Sequence, residues 1–521
     1  MLILAALLIS TPFRREIRSA HKKLDIAPIL SHHCKTQNIL TTDKFFLHRP
    51  LMDRIKSLLD VDWTKRPYIF ILALSFVLSR VPLLNLGFGA DGDAWRVANT
   101  AFDLRTSHTY HYSRPPGYPL PEYLDSLVID HGWMATNILT LIIFFISAVF
   151  FAKILKDLDV KNKGLLVLAY AFMPIMWINS ANTMDYLWAL AFIVIAWFFA
   201  LRSRWVLGGL MLGLAIASRM TSAIFLLPFL YLILTEDRER REKSRSTICL
   251  GLAAAAVALI LYLPVFLQHG RGFLTYYPMD LSLVDAAGFA VNSFGIIPTF
   301  VGFILLTLSL KVLFKHIRQK DRHTIFLLSA VMLVVIMFIK LPMEVEYLLP
   351  AVPFGLLLVN SIARRDLVLI FCILLILHSF VTFTVQRNDE GILGTRGPDG
   401  MIKRNNDERN SQLDYAESLM GIRLAHSIVI VGSKFPAAVY WGRDKGILDE
   451  HIGTWAHKYE GIWNREDDVC YRYLVPLDEL QSLQDEGYAV YYIEEMREYT
   501  QDIEGYDLDT YGGEYLPVSD G

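Results

Sequence analysis

The stretch WMATNILTLIIFFISAVFFA, residues 133–152, decides the fold, because it runs without a charge and is followed at once by Lys153, Lys156, Lys161 and Lys163. About twenty helical residues rise roughly 30 Å, which matches the hydrocarbon core of a bilayer. Working outward from it, comparable apolar runs lie near 68–87, 164–180, 185–201, 205–218, 220–234, 247–267, 290–313, 324–341, 347–362 and 367–385. They predict an all-α polytopic membrane protein with about eleven transmembrane helices. Composition agrees: hydrophobic residues make up 54% of the chain and its mean hydropathy is +0.36.

Basic residues mark which loops face inward. Arg202 and Arg204 precede the segment 205–234, and Arg238, Arg240, Arg241, Lys243 and Arg245 follow it, so both flanks belong inside and the segment is a hairpin with Arg219 at its outer tip. Lys315, Arg318, Lys320 and Arg322, then Arg364 and Arg365, mark two more inner loops. This places the N-terminus inside, the C-terminus outside, and 88–132, 179–185, 268–289 and 342–346 as external loops, the first being the largest. Residues 1–67 read as an inner segment. Met1–Ser10 lacks the basic flank and cleavage site of a signal peptide, and Met52, followed by Arg54 and Lys56, is an alternative start.

The net charge of −2 divides unevenly: from Gln386 onward 27 Asp and Glu face 13 Lys and Arg, a balance of −14 that leaves +12 for the rest. The tail reads as a linker over 386–410 and an acidic external α/β domain over 411–521. Its pattern has a helix near Gln412–Ile422, a strand Ser427–Val431, a helix Leu477–Glu486 and a strand Tyr488–Ile493. No Gly-rich nucleotide loop, no basic stripe for nucleic acid and no paired-cysteine spacing among Cys34, Cys249, Cys372 and Cys470 is present.

The first external loop holds the chemistry. It opens Gly89-Ala90-Asp91-Gly92-Asp93-Ala94-Trp95-Arg96 and continues Ser113-Arg114-Pro115-Pro116-Gly117-Tyr118-Pro119-Leu120. A carboxylate at the water boundary beside apolar helices can be made basic enough to take a proton. It can equally cap the helix that begins at Ala94. Arg114 stands before a rigid proline turn, and with Arg96 it can form a cationic seat for phosphate or anchor a lipid headgroup. Asn179, Asn182 and Asp185 read as a turn or as part of an acceptor site. His269, Arg271, Tyr276 and Tyr277 fit an aromatic belt.

These motifs resemble the GT-C superfamily of polyprenyl-phosphate-sugar-dependent glycosyltransferases. Asp93-Ala94-Trp95-Arg96 is similar to the Asp-x-x-Arg segment of the lipid A aminoarabinose transferases and to the Asp-Glu motif of protein O-mannosyltransferases, with Ala94 in place of the usual Glu. Arg114-Pro115-Pro116-Gly117-Tyr118-Pro119-Leu120 is similar to their Lys-Pro-Pro turn. Gly213–Arg219 resembles a glycine-rich span ending in Thr-Arg. Glu346-Tyr347-Leu348-Leu349-Pro350 resembles an Arg-Tyr-Leu-Leu-Pro segment, with Glu346 where relatives carry arginine, so that Lys340 or Arg271 would supply the charge.

The resemblance covers roughly 68–385. It implies Asp93 as the general base, Asp91 as its alternate, and Arg96, Arg114, Tyr118, Arg219, Lys340 and Tyr347 as substrate-binding residues. It further implies a polyprenyl-phosphate-linked sugar as donor, an acceptor hydroxyl on protein, lipid or glycan, and inversion at the outer face of a bacterial plasma membrane. No cofactor is implied with certainty, and a divalent metal is an open possibility. A transporter or a non-catalytic scaffold is the competing reading. A transporter should carry ionisable groups in mid-span, whereas here nearly all lie at span ends.

Overall fold

The structure is a computed structural model that describes residues 59–274, 283–342, 344–381, 384–387, 393–396, 400–448, 450–452, 459–493, 496 and 513–518. The N-terminal segment with Met52, the residues Tyr276 and Tyr277, and parts of the linker lie outside the described residues.

Helix forms within every expected span, but the last, expected over 367–385, ends at Leu377, and Thr384 already belongs to a strand. Among the described residues, Arg66–Leu83, Ile129–Asp157, Arg240–His269, Ile296–Arg318, Arg322–Lys340 and Val345–Ile362 are long and apolar enough to cross a bilayer. Lys163–Phe172, Tyr186–Leu201, Trp205–Ser218 and Met220–Leu234 are apolar but shorter. The run 164–180 breaks in two because Met173, held extended ahead of Pro174, cannot stay helical beside the proline ring. Leu259, Ile260, Leu267 and Phe303 point outward at 70%, 69%, 73% and 68% exposure, a surface that only lipid can cover. The chain is therefore a multi-pass integral membrane protein.

Small residues let two of these helices touch. A Cβ on Gly209 would stand 2.5 Å from the Leu250 carbonyl, and one on Gly213 would stand 2.6 Å from Val257 Cβ. The glycine-rich span Trp205–Ser218 thus packs backbone to backbone on Arg240–His269. The helix stops where Arg219 turns extended, and the chain returns through Met220–Phe225 and Leu226–Leu234, as a hairpin requires. At the far end Arg202 pairs with Asp157, and a cleft gathers Arg202, Glu236 and Arg322, so these loops share one end of the bundle.

Arg80, fully buried near the end of the first helix, lies against the rings of Phe76, Phe172 and Trp177 and donates to Ser79 Oγ, Ser180 Oγ and the Ala171 carbonyl. It ties that helix to the segment leading into Asp185.

The tail contributes a two-stranded ribbon, β1 (Thr384–Arg387) with β2 (Leu393–Arg396), and a six-stranded sheet. The sheet runs in the order β4 (Glu450–Ile452), β5 (Gly461–Asn464), β6 (Val469–Arg472), β3 (Ser427–Ile430), β7 (Ala489–Tyr492), β8 (Glu514–Tyr515). Parallel pairing of β3 with β6 and β7 sends three strands toward one edge. Its first helix, Met401–Gly421, starts well before the expected Gln412, inside the expected linker. Ahead of the apolar Tyr415, Ala416 and Leu419 its buried face carries Arg409 and Gln412, so hydrophobic periodicity does not reveal the first half.

Candidate active site

The first loop folds into two helices, Gly92–Thr106 and Pro119–Ser126. Asp91 is the N-cap of the first: its Oδ1 accepts from the Asp93 backbone N–H at 2.9 Å. The cap reading of the loop carboxylates thus applies to Asp91, and the Asp93 side chain is left to meet Arg114 and Arg96. Asp91 stays exposed at the surface, yet the protein groups crowded around it, reinforced by the charge of Asp93, push its carboxyl up to about 7.

Arg114 is presented by a clamped turn. Glu122, fully buried, accepts from Ser113 N at 3.0 Å, Ser113 Oγ at 2.5 Å, Tyr118 N at 3.2 Å and the Tyr110 hydroxyl, so one carboxylate ties both ends of the turn together. Gly117 N donates to the Arg114 carbonyl at 2.6 Å with Gly117 at φ +88°, a conformation that favours glycine. The guanidinium then reaches two carboxylates: Nε lies 3.0 Å from Asp93 Oδ2, and Nη2 lies 2.6 Å from Asp185 Oδ1.

Asp185 has 0% exposure and also takes Arg219, whose Nη1 is 2.5 Å from Oδ2. One buried carboxylate therefore holds two arginines side by side. Arg219 sits among three tyrosine rings, with Tyr186, Tyr347 and Tyr118 at 4.2, 4.6 and 5.4 Å, and Arg114 lies 4.3 Å from Tyr118. The sequence leaves Asp185 open between a turn residue and part of an acceptor site, and does not reveal it as the counter-charge of two arginines. The signal available was a carboxylate opening an uncharged helix, opposite arginines that would need a counter-charge.

Of the expected set, Asp93, Asp91, Arg114, Tyr118, Arg219 and Tyr347 converge here. Arg96 flanks Asp93 from the other side, with Nε 3.8 Å from Oδ1, but its Nη1 reaches 2.5 Å to Glu460 of the C-terminal domain. Lys340 ends its helix with an exposed side chain, and Arg271 is exposed as well. His269 packs edge-on against Tyr112 and bonds the Tyr110 carbonyl. Glu346 faces Asn179, whose Nδ2 lies 3.4 Å away.

From Arg219, Glu346, Tyr186 and Tyr347 a narrow cleft, with a cavity of about 30 Å³, runs down between helices past Phe225, Val334, Met337 and Leu341. Its upper end is charged and aromatic, and its walls are aliphatic. Asp91, Asp93 and Glu344 each place one oxygen within 4.8 Å of the others, and Glu344 Oε2 has no hydrogen-bond partner. That spacing fits three oxygen ligands around one hard divalent cation, whose bonds run about 2.0–2.6 Å.

Residues 113–268 match the family model described as dolichyl-phosphate-mannose-protein mannosyltransferase. The match begins at the Arg114 turn and ends with the helix that packs on the glycine-rich span, so Asp91, Asp93 and Arg96 precede it. The crystal structure of ArnT from Cupriavidus metallidurans in the apo state is similar over 56% of this chain and 58% of its own, at 14% identity and a TM-score of 0.39. No curated protein matches the chain by sequence. The arginine turn, the glycine-rich span and its terminal Arg219 all lie inside the segment that is similar to this mannosyltransferase family.

Proposed function

We propose that the enzyme transfers a sugar from a polyprenyl-phosphate donor to an acceptor hydroxyl at the outer face of the membrane, inverting the anomeric centre. The observation that carries this reading is the Asp93–Arg114–Asp185–Arg219 chain, whose Arg219 end lines a cleft with apolar walls. A lipid phosphate needs both halves of that arrangement. The polyprenyl chain lies against Phe225, Val334, Met337 and Leu341, while the phosphate meets the two guanidinium forks held by Asp185.

In this reading Asp93 takes the proton from the acceptor hydroxyl as that oxygen bonds to the anomeric carbon. The bond from that carbon to the donor phosphate oxygen breaks at the same time. The oxocarbenium-like charge of the transition state passes between the carboxylate and the arginines, which stabilise the departing phosphate. A single displacement inverts the centre. A divalent cation held by Asp91, Asp93 and Glu344 would supply further positive charge at this point.

The test uses purified enzyme with synthetic polyprenyl-phosphate mannose and then the corresponding pentose and hexose donors. Asp93→Asn is expected to abolish transfer, and Asp91→Asn to weaken it. Unchanged turnover in both variants and in their combination would refute the assignment. Mass spectrometry of copurified lipid should find a polyprenyl phosphate or its sugar ester.

A further inference from the structure

We propose that Glu460, which belongs to the C-terminal domain, is a positioning residue of the catalytic centre: it holds Arg96 away from the free oxygen of Asp93 and so keeps that oxygen open to the acceptor. This rests on Asp93 being the base.

The two oxygens of Asp93 have different neighbours. Oδ2 is engaged by Arg114 at 3.0 Å. Oδ1 faces Arg96 Nε at 3.8 Å, too far for a hydrogen bond, and is the oxygen left for an incoming hydroxyl. Arg96 stops short because its Nη1 is drawn 2.5 Å onto Glu460, a carboxylate with 0% exposure. Tyr473 supports the arrangement twice: its ring lies 5.6 Å from the guanidinium, and its backbone N–H bonds the Glu460 carbonyl at 3.0 Å. Remove the Glu460 charge, and the nearest carboxylate for this largely buried guanidinium is Asp93 itself. Arg96 would then close on Oδ1 and both oxygens of the base would be paired.

The surrounding contacts hold the domain in register for this. Gly92 lies under Ser433, where a Cβ would stand 3.2 Å from the Ser433 carbonyl. Asn99 Nδ2 donates to the Pro436 carbonyl at 2.9 Å. Asp103 pairs with Arg443 one helical turn further on. Glu460 precedes β5 at the edge where the parallel strands end, the edge that faces this loop helix. Of these contacts, the Arg96–Glu460 pair is the one that reaches the Asp93 side.

Steady-state transfer from polyprenyl-phosphate mannose, or whichever synthetic donor the wild type uses, separates positioning from simple docking. E460Q is expected to lower kcat by about 10–100-fold with the donor KM unchanged, because the base is blocked and the phosphate seat is not. E460D, which keeps the charge with shorter reach, should lose less. R96Q/E460Q, in which Arg96 is no longer there to close on Asp93 Oδ1, should recover part of the loss. R443Q breaks a docking pair remote from Asp93 and should retain the wild-type kcat.

Wild-type kcat in E460Q would overturn the proposal. So would equal losses in E460Q and R443Q with no recovery in the double variant, since that pattern is a docking effect alone. E460D and the double variant keep the question decidable where E460Q does not fold. The base assignment fails separately: active D93N refutes it, whereas inactive D93N with normal E460Q refutes only the role of Glu460.

Discussion

Asp185 shows how much one side chain can organise. With both oxygens committed to arginines and no exposure to water, it neutralises two guanidinia and aims their remaining donors at one place. Asp185→Ala leaves both cations uncompensated in a desolvated site, and such a loss destabilises by about 3–5 kcal/mol. The expected outcome is a lowered Tm in detergent together with loss of transfer. A variant that melts normally and keeps the wild-type donor KM would mean that the arginines are held by something else. The loop residues Asp91, Asp93 and Arg114 were legible in sequence because each is a charge in an otherwise apolar chain beside Gly or Pro. Glu122 and Glu460 were not, because a single acid in a polar segment carries no sign of its partner.

Among the elements, the turn at Ser113–Tyr118 is the one on which the site depends most directly. Gly117 at φ +88° lies so close to its neighbours that a Cβ would meet the Tyr110 hydroxyl at 3.1 Å and Tyr112 Cβ at 3.3 Å. Gly117→Ala therefore combines a left-handed backbone, worth about 1–2 kcal/mol, with a steric clash at the Glu122 clamp. A lower Tm and a raised donor KM are expected from thermal unfolding and initial-rate measurements, since Arg114 is carried on the strained turn. An unchanged KM would separate Arg114 from donor binding. The spans themselves were readable from charge-free length, and the hairpin from the arginines on both its flanks. Only the first half of the helix Met401–Gly421 escaped that reading, since the apolar face of Tyr415, Ala416 and Leu419 gives way there to Arg409 and Gln412.

For the molecule as a whole, charge separates the two ends of the bundle. One end gathers Arg202, Asp157, Glu236 and Arg322, and the other carries the candidate site and the docked domain. In intact cells expressing a version with the four native cysteines replaced, an impermeant maleimide is expected to label R465C and spare K320C. The opposite pattern would invert the topology and put the site on the inner face. The way the domain is attached has a further consequence. Arg409 binds the Leu86 and Gly87 carbonyls, Gln412 binds the Ala90 carbonyl, and Asn99 binds the Pro436 carbonyl, so much of the grip is on main chain that every residue type offers alike. Mutational drift at positions 86, 90 and 436 leaves those bonds intact, and correlated change between the two parts should concentrate at the charge pairs Arg96 with Glu460 and Asp103 with Arg443. A comparison of diverged relatives would then register these hydrogen bonds as nearly silent, although they cross the joint at several points.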